Sequence, residues 1–422
     1  MSKFKLFILF SVFLMTSFPV TGIIKDAGAD EKAILERLEK IILEQQAQIE
    51  SLQKQVNEIQ AKSAETQKAT QSAESSKGFI KSGNKNTSVT LYGQVNRGIL
   101  ISDDGDNTNI YQVDNDNSST RIGINGSAKA SEALEIGTKV EVQFESNSTA
   151  DVNQNNQRGA SSNNFTKRHL DLYLSSTPYG KLSIGFGSTA SDGTSETDFS
   201  GTSVVGYSGV ADMAYGQLFY DNNTKALSTA KIGNAFSNMD GLSRDERIRY
   251  DTPAFNGFSA AASYIADGGG DVALRYDTKL DQFKVGAAVA YANPASTSAK
   301  TDYQISSSFS ALHDSGISLT LSGGQREYKT DTDGDGLFFY SKLGYQTDFF
   351  SIGKTAFSVD YGIFDDIAMN NDEASTFGAH FVQNITDWGT EYYLGYRLHK
   401  LDRDNTDFED ISAILSGFRV KF

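Results

Sequence analysis

From Ser88 onward, apolar residues recur at every second position. In "LEIGTKVEVQFES", Leu134, Ile136, Val140, Val142 and Phe144 share one face, and Glu135, Lys139, Glu141, Gln143 and Glu145 share the other. That period belongs to β-strands with one apolar side. The runs are often about 10–13 residues long, where strands of globular proteins average five or six. They begin near Ser88, Ser119, Ala133, Phe165, Gly180, Asp245, Asn256, Asp271, Gln282, Asp302, Gly316, Gly336, Gly353, Ser375, Trp388 and Asp410. Short connectors such as "STPYG", "TPAFNG" and "HDSG" alternate with long ones at 102–118, 146–164, 188–243, 327–335, 365–374 and 401–409. Long strands with short turns at one end and long loops at the other predict an all-β transmembrane barrel of about 16 antiparallel strands over 88–422. A barrel satisfies every backbone group in lipid and leaves no edge. The last run ends "FRVKF". Closure against the first strand places Phe418, Val420 and Phe422 towards lipid, and Arg419 and Lys421 towards the lumen or periplasmic rim.

Upstream the period changes. In "EKAILERLEKIILEQQAQIESLQKQVNEIQ" the seam steps by three and four, with Leu35, Ile42, Ile49 and Val56 at a and Leu38, Gln45, Leu52 and Ile59 at d. This predicts an α-helical coiled coil over 30–60. β-branched residues at a with Leu at d favour two chains, whereas Ile34 and Ile41 at g widen the apolar face and favour more. Residues 61–87, rich in Ser, Lys, Gln and Asn, predict a polar linker. At the start, Lys3 and Lys5 precede an apolar run from Leu6 to Phe18, too short to span a bilayer and suited to a signal peptide over 1–22. Cleavage follows Gly22 or, later, Ala29 in "AGA".

Net charge is −15, which argues against a nucleic-acid partner. The absence of cysteine excludes disulfides, thiolate metal sites and a Cys nucleophile. There are 4 prolines against 38 glycines, which suits sheets that bend and turn at Gly. "DTDGDG" at 331–336 has the Asp spacing of a calcium loop in Asp331, Asp333 and Asp335, but position twelve is Lys342 rather than Glu, so an acidic surface loop is favoured and no cofactor is expected. His169, His313, His380 and His399 form no ligand pair, and neither Gly-x-Ser-x-Gly nor a phosphate loop occurs. No enzyme activity is expected.

"VTLYGQV" at Val89, "STRIGINGSA" at Ser119, "YGKLSIGFGS" at Tyr179, "RIRYDTPAFNGFS" at Arg247 and the terminal "FRVKF" occur in the order and spacing of a trimeric general porin. Over 88–422 the chain resembles that family of the Gram-negative outer membrane, and its subset with a periplasmic coiled coil. The resemblance implies a homotrimer in outer-membrane lipid that passes small hydrophilic solutes and ions. It also implies that the loop 188–243, which lacks the enteric "PEFGG", folds inward and narrows the pore. Its acids would be Asp192, Glu196, Asp198 and Asp212, facing a basic wall. Strand parity assigns Arg121, Lys139, Lys167, His169, Arg247 and Arg249 to that wall, and turns Arg168 outward. Two other functions fit the same features. One is a channel selective for small anions such as dicarboxylates. The other is a tether, with the coiled coil reaching the cell wall.

Overall fold

The computed structural model describes residues 80–84, 86–159, 165–266, 268–295, 299–330 and 335–422. The expected signal peptide, the expected coiled coil and most of the expected linker lie outside them. Before the long loop come β1 (Ile80–Gly83), β2 (Thr87–Asp103), β3 (Thr108–Asp114), β4 (Arg121–Lys129), β5 (Leu134–Phe144), β6 (Phe165–Ser176) and β7 (Gly180–Ser188). The loop itself holds β8 (Leu218–Asp221) and β9 (Ala226–Lys231). After it come β10 (Arg244–Asp251), β11 (Phe258–Ile265), β12 (Gly270–Leu280), β13 (Phe283–Asn293), β14 (Thr301–His313) and β15 (Ile317–Tyr328). The last are β16 (Gly336–Phe350), β17 (Gly353–Asp365), β18 (Glu373–Ile385), β19 (Thr390–Asp402) and β20 (Ile411–Lys421).

Sixteen of these, β2, β4–β7 and β10–β20, form a closed antiparallel wall. The barrel closes where β20 pairs with β2, from Lys421 opposite Gln94 to Ser412 opposite Asp103. Phe422 continues the ladder by exchanging backbone hydrogen bonds with Gly93. On the outer face Leu170, Leu172 and Leu174 of one strand are 55%, 63% and 42% exposed, and similar rows of Ile, Val, Phe and Tyr continue around the wall. Water does not tolerate a contiguous apolar belt of that extent, whereas lipid does. Among the described residues no helix is long and apolar enough to cross a membrane.

Two departures from the sequence expectation stand out. The connector expected at 102–118 is a turn followed by β3. Asp104 closes the turn by accepting from the backbone N–H of Asp106 and Asn107. β3 pairs with the upper half of β2 (Arg97–Asp103) and β4 with the lower half (Thr87–Gln94), so one wall position is broken in two. Gln94 and Asn96 bind the break by donating to the Ser118 and Ser119 carbonyls. Asn and Asp on both sides of Ile110, Tyr111 and Val113 hid this strand. The second departure is β1, inside the expected linker. It pairs with Ser88–Leu91, on the edge of β2 that β20 leaves free beyond Phe422.

Candidate permeation site

β7 pairs directly with β10, so the 189–243 loop leaves the wall and returns at one place. It first runs across the inner wall on small polar side chains. The Ala190 N–H donates to Ser263 Oγ and Asp271 Oδ1, and the Ser191 N–H to Asp271 Oδ2. On β14, Ser306 bonds Thr194, Ser308 accepts from the Thr197 N–H, and Ser310 accepts from the Phe199 N–H. Further on, Ser322 Oγ donates to the Ser195 carbonyl and Thr202 bonds Ser358. Gly344 faces this path because a Cβ there would sit 2.8 Å from Ser200 Cβ.

The run ends on a buried ion pair. Lys342 Nζ lies 2.7 Å from Asp198 Oδ2 and donates to the Gly206 carbonyl at 2.6 Å, with side-chain exposures of 0% and 4% for the pair. Beneath Gly206 lies a closed polar group. Asp360 accepts two bonds from Arg397, at 2.8 and 2.9 Å, one from His380 and one from Tyr340. A Cβ at Gly206 would strike the His380 ring at 2.3 Å. The rest of the loop is apolar: Val205, Val210, Met213, Ile232, Phe236 and Met239 form one buried cluster with Leu100, Phe338, Phe364, Tyr393, Ile411 and Leu415 of the wall. Packed side chains exclude water. The open passage therefore lies against the opposite arc, β4–β7 and β10–β12.

That arc is basic, but its cations divide into two groups. Arg121, at the top of β4, stands within electrostatic range of Arg168, Arg244 and Arg419. Arg168 Nε meets Glu141 at 2.7 Å, and Arg244 lies 3.6 Å from Asp192 of the loop. Parity had turned Arg168 out and Lys167 in, and the structure reverses both. The β5–β6 register shifts between Glu141 and Val142, a bulge that admits one extra residue and flips the side chains beyond it. Lys167 instead pairs with Glu246 at 2.6 Å over the Phe186 ring, on the face that carries Ile184 and Ile248. Arg244 was not singled out. It opens β10 directly after Ser243, whose φ of 54° turns the chain.

Arg247 and Arg249 belong to the second group, at the neck of the loop. Arg247 is 6% exposed, pairs with Asp171 at 2.5 Å and donates to the Gly185 and Ser188 carbonyls. Arg249 grips Asp251 and the Ser188 and Thr189 carbonyls, and Arg275 holds those of Ala190 and Asp192. Lys139 lies 4.0 Å from Glu141, and His169 is buried beside that glutamate's strand position. Gly187 makes room for this neck, since a Cβ there would fall 2.7 Å from Arg247, 2.8 Å from Asp171 and 2.9 Å from His169. Gly187→Ala is therefore expected to displace the Arg247–Asp171 pair and cost about 3 kcal/mol, within the range for breaking a buried ion pair. Denaturant unfolding in liposomes checks this.

Of the loop acids, Asp192 and Glu196 sit near Asp240, and Asp212 is bonded by Tyr207. Glu196 accepts from Asn238 at 2.9 Å. Burial, then the neighbouring Asp240 and Asp192, raises the Glu196 carboxyl well above the usual range. Burial pushes Asp212 and Asp240 up to about 7, with nearby carboxylates adding to it. Asp198 does not join them: locked to Lys342, it anchors the loop. Asp331 and Asp333 lie outside the described residues, and Asp335 accepts from Gln325 at 3.2 Å. Among the described residues no group of acids or histidines is arranged to hold a metal.

By structure, the chain is similar to the anion-selective porin from Comamonas acidovorans, with a TM-score of 0.57, 18% identity, and coverage of 80% of this chain and 100% of that one. It is also similar to OmpT, an outer membrane protein of Vibrio cholerae, with a TM-score of 0.52, 14% identity, and coverage of 81% and 100%. At such identities these likenesses speak for the fold. Comparison with curated protein sequences finds no match. The family model for Gram-negative porins, however, matches residues 64–404, nearly the whole wall and the loop within it, and so this chain belongs to the Gram-negative porins and is an outer-membrane diffusion channel.

Proposed function

We propose that small hydrophilic solutes and ions cross passively between the arginines of β4, β6 and β10 and the carboxyls of the inward loop, with an anion preference at neutral pH. The observation that carries this reading is the placement of arginines on one side and of buried, closely neighbouring carboxyls on the other. The guanidinium groups of Arg121, Arg168 and Arg244 supply the positive side. Burial pushes Asp212 and Asp240 up to about 7, so they are partly neutral at pH 7 and gain charge as the pH rises, and burial raises the Glu196 carboxyl as well. The passage is then more positive at pH 6 than at pH 9. The Comamonas relative, whose description calls it anion-selective, supports the same sign.

Reversal potentials in a potassium chloride gradient test this. Anion preference should fall between pH 6 and pH 9; a preference that stays flat or rises overturns the reading. The same recordings bear on assembly. Arg97 has the strand parity of the exposed Val95, Ile99 and Ile101, and lies midway along β2. An arginine at the lipid midplane costs roughly 2–4 kcal/mol. We read that face as covered by further copies of the chain, in threes, with the heptads of 30–60 serving the same assembly. Current should close in three equal steps.

A further inference from the structure

A cavity of about 510 Å³ opens beside the inward loop. Its floor is loop, with Val210, Ala211, Tyr215 and Asn234, and its rim is Lys300, Arg326, Ile367 and Ala368. The volume is in the range of small-molecule sites, and the lining is mostly polar, with Tyr215 and Ile367 as part-exposed apolar surfaces within it. Both rim cations lack a carboxylate partner among the described residues. Lys300 is exposed. Arg326 faces inward and is held by neutral groups, Gln304 Oε1 at 3.1 Å and Ser237 Oγ at 3.2 Å. Fixed by neutral partners, its charge is left for a ligand. Asp212 is the acid in the lining, and its carboxyl is engaged by the Tyr207 hydroxyl and kept partly neutral by burial. Lys231 caps the Tyr215 ring, 4.9 Å from its centroid, and adds a third positive charge beside the shelf.

We infer that this cavity is a capture site for small organic anions with a planar apolar body, the carboxylate on Lys300 and Arg326 and the body on the shelf of Tyr215 and Ile367. It rests on the channel reading, because it places a solute at the mouth of the passage before the arginine arc. The two halves of the cavity make separable demands. Cations alone would hold inorganic phosphate or acetate as well as any carboxylate. The shelf adds apolar burial that only the larger body gains. Asn234, exposed at the edge, offers an amide to ring substituents.

Benzoate is the probe, with acetate and inorganic phosphate as the charge-only controls, all added at low ionic strength to the side of the long loops. Benzoate should reduce single-channel current at about one-tenth the concentration that acetate or phosphate requires. Lys300→Gln with Arg326→Gln should raise the half-blocking concentration of benzoate about tenfold. Lys225→Gln, a charge removed at the exposed β8–β9 turn, should leave it unchanged. In detergent, saturation-transfer NMR should show benzoate protons in contact with the parent protein and not with the double variant. Equal block of parent and double variant, or benzoate no better than acetate, overturns the site. A protein that does not conduct at all overturns the channel reading instead, and the NMR contrast still decides the cavity.

Discussion

Replacing Lys342 by methionine is expected to release the inward loop from the barrel wall. Methionine has nearly the length of lysine but leaves Asp198 as a buried charge without its cation, and leaves the Gly206 carbonyl without its donor. Removing one partner of a buried pair costs about 3–5 kcal/mol. Lys342 ties Asp198, within the serine-bonded run at 190–202, to the Gly206 carbonyl beside Val204 and Val205 of the apolar cluster, so both parts of the loop lose their common anchor. Single-channel conductance should rise and become noisy, and the loop should become open to protease. Adding Asp198→Asn removes the orphaned charge and should recover more than half of the lost stability, because Asn still accepts from the Ser200 N–H. If Lys342→Met is as quiet and as stable as the parent, the pair is not an anchor.

Neutralising Arg121 and Arg244 together to glutamine should shift the channel towards cations. These two are chosen because neither belongs to the neck of the loop. Arg121 has no close carboxylate bond, and Arg244 meets Asp192 only at 3.6 Å. A unit charge 4 Å from an ion contributes about 1 kcal/mol even in bulk water. Each removal therefore alters local anion occupancy roughly fivefold near the wall, and less across the whole passage because salt screens it. The anion-to-cation permeability ratio should fall about threefold or more, with unfolding in liposomes little changed, since neither arginine makes a close bond to a carboxylate. Arg247→Gln should behave in the opposite way, with a large loss of stability and a small change of selectivity, because its charge is spent on Asp171 and two carbonyls. A reversal potential that does not move with Arg121 and Arg244 would falsify the assignment of this arc.

The wall was legible because period two is a local signal. Every strand start read from alternation lies within two residues of an observed one, from Thr87 to Ile411. What failed was parity carried past an irregularity. One bulge beside Glu141 exchanged Lys167 and Arg168, and nothing in "TKRHLDL" marks it. Charge type was legible, but charge state was not. Asp198 reads as one more loop acid until Lys342, far along the chain on another strand, is seen against it. Arg247 and Arg249 read as wall cations until the loop neck is seen to consume their donors. A clue to the loop's path was present in "QISSSFSALH", where Ser306, Ser308 and Ser310 line one face at every second position. Small hydroxyls on an inner wall are what a backbone laid across it requires.

The most direct test is chemical, and the chain suits it because it has no cysteine. One cysteine is placed at Asn125, which shares the inward parity of Arg121 on the basic arc, and another at Ala413, which is wholly buried under the loop on the filled side. A charged methanethiosulfonate is then added during single-channel recording. The current should fall in Asn125→Cys and stay unchanged in Ala413→Cys. Modification and block at Ala413→Cys, with Asn125→Cys untouched, would mean that solutes pass on the other side of the loop.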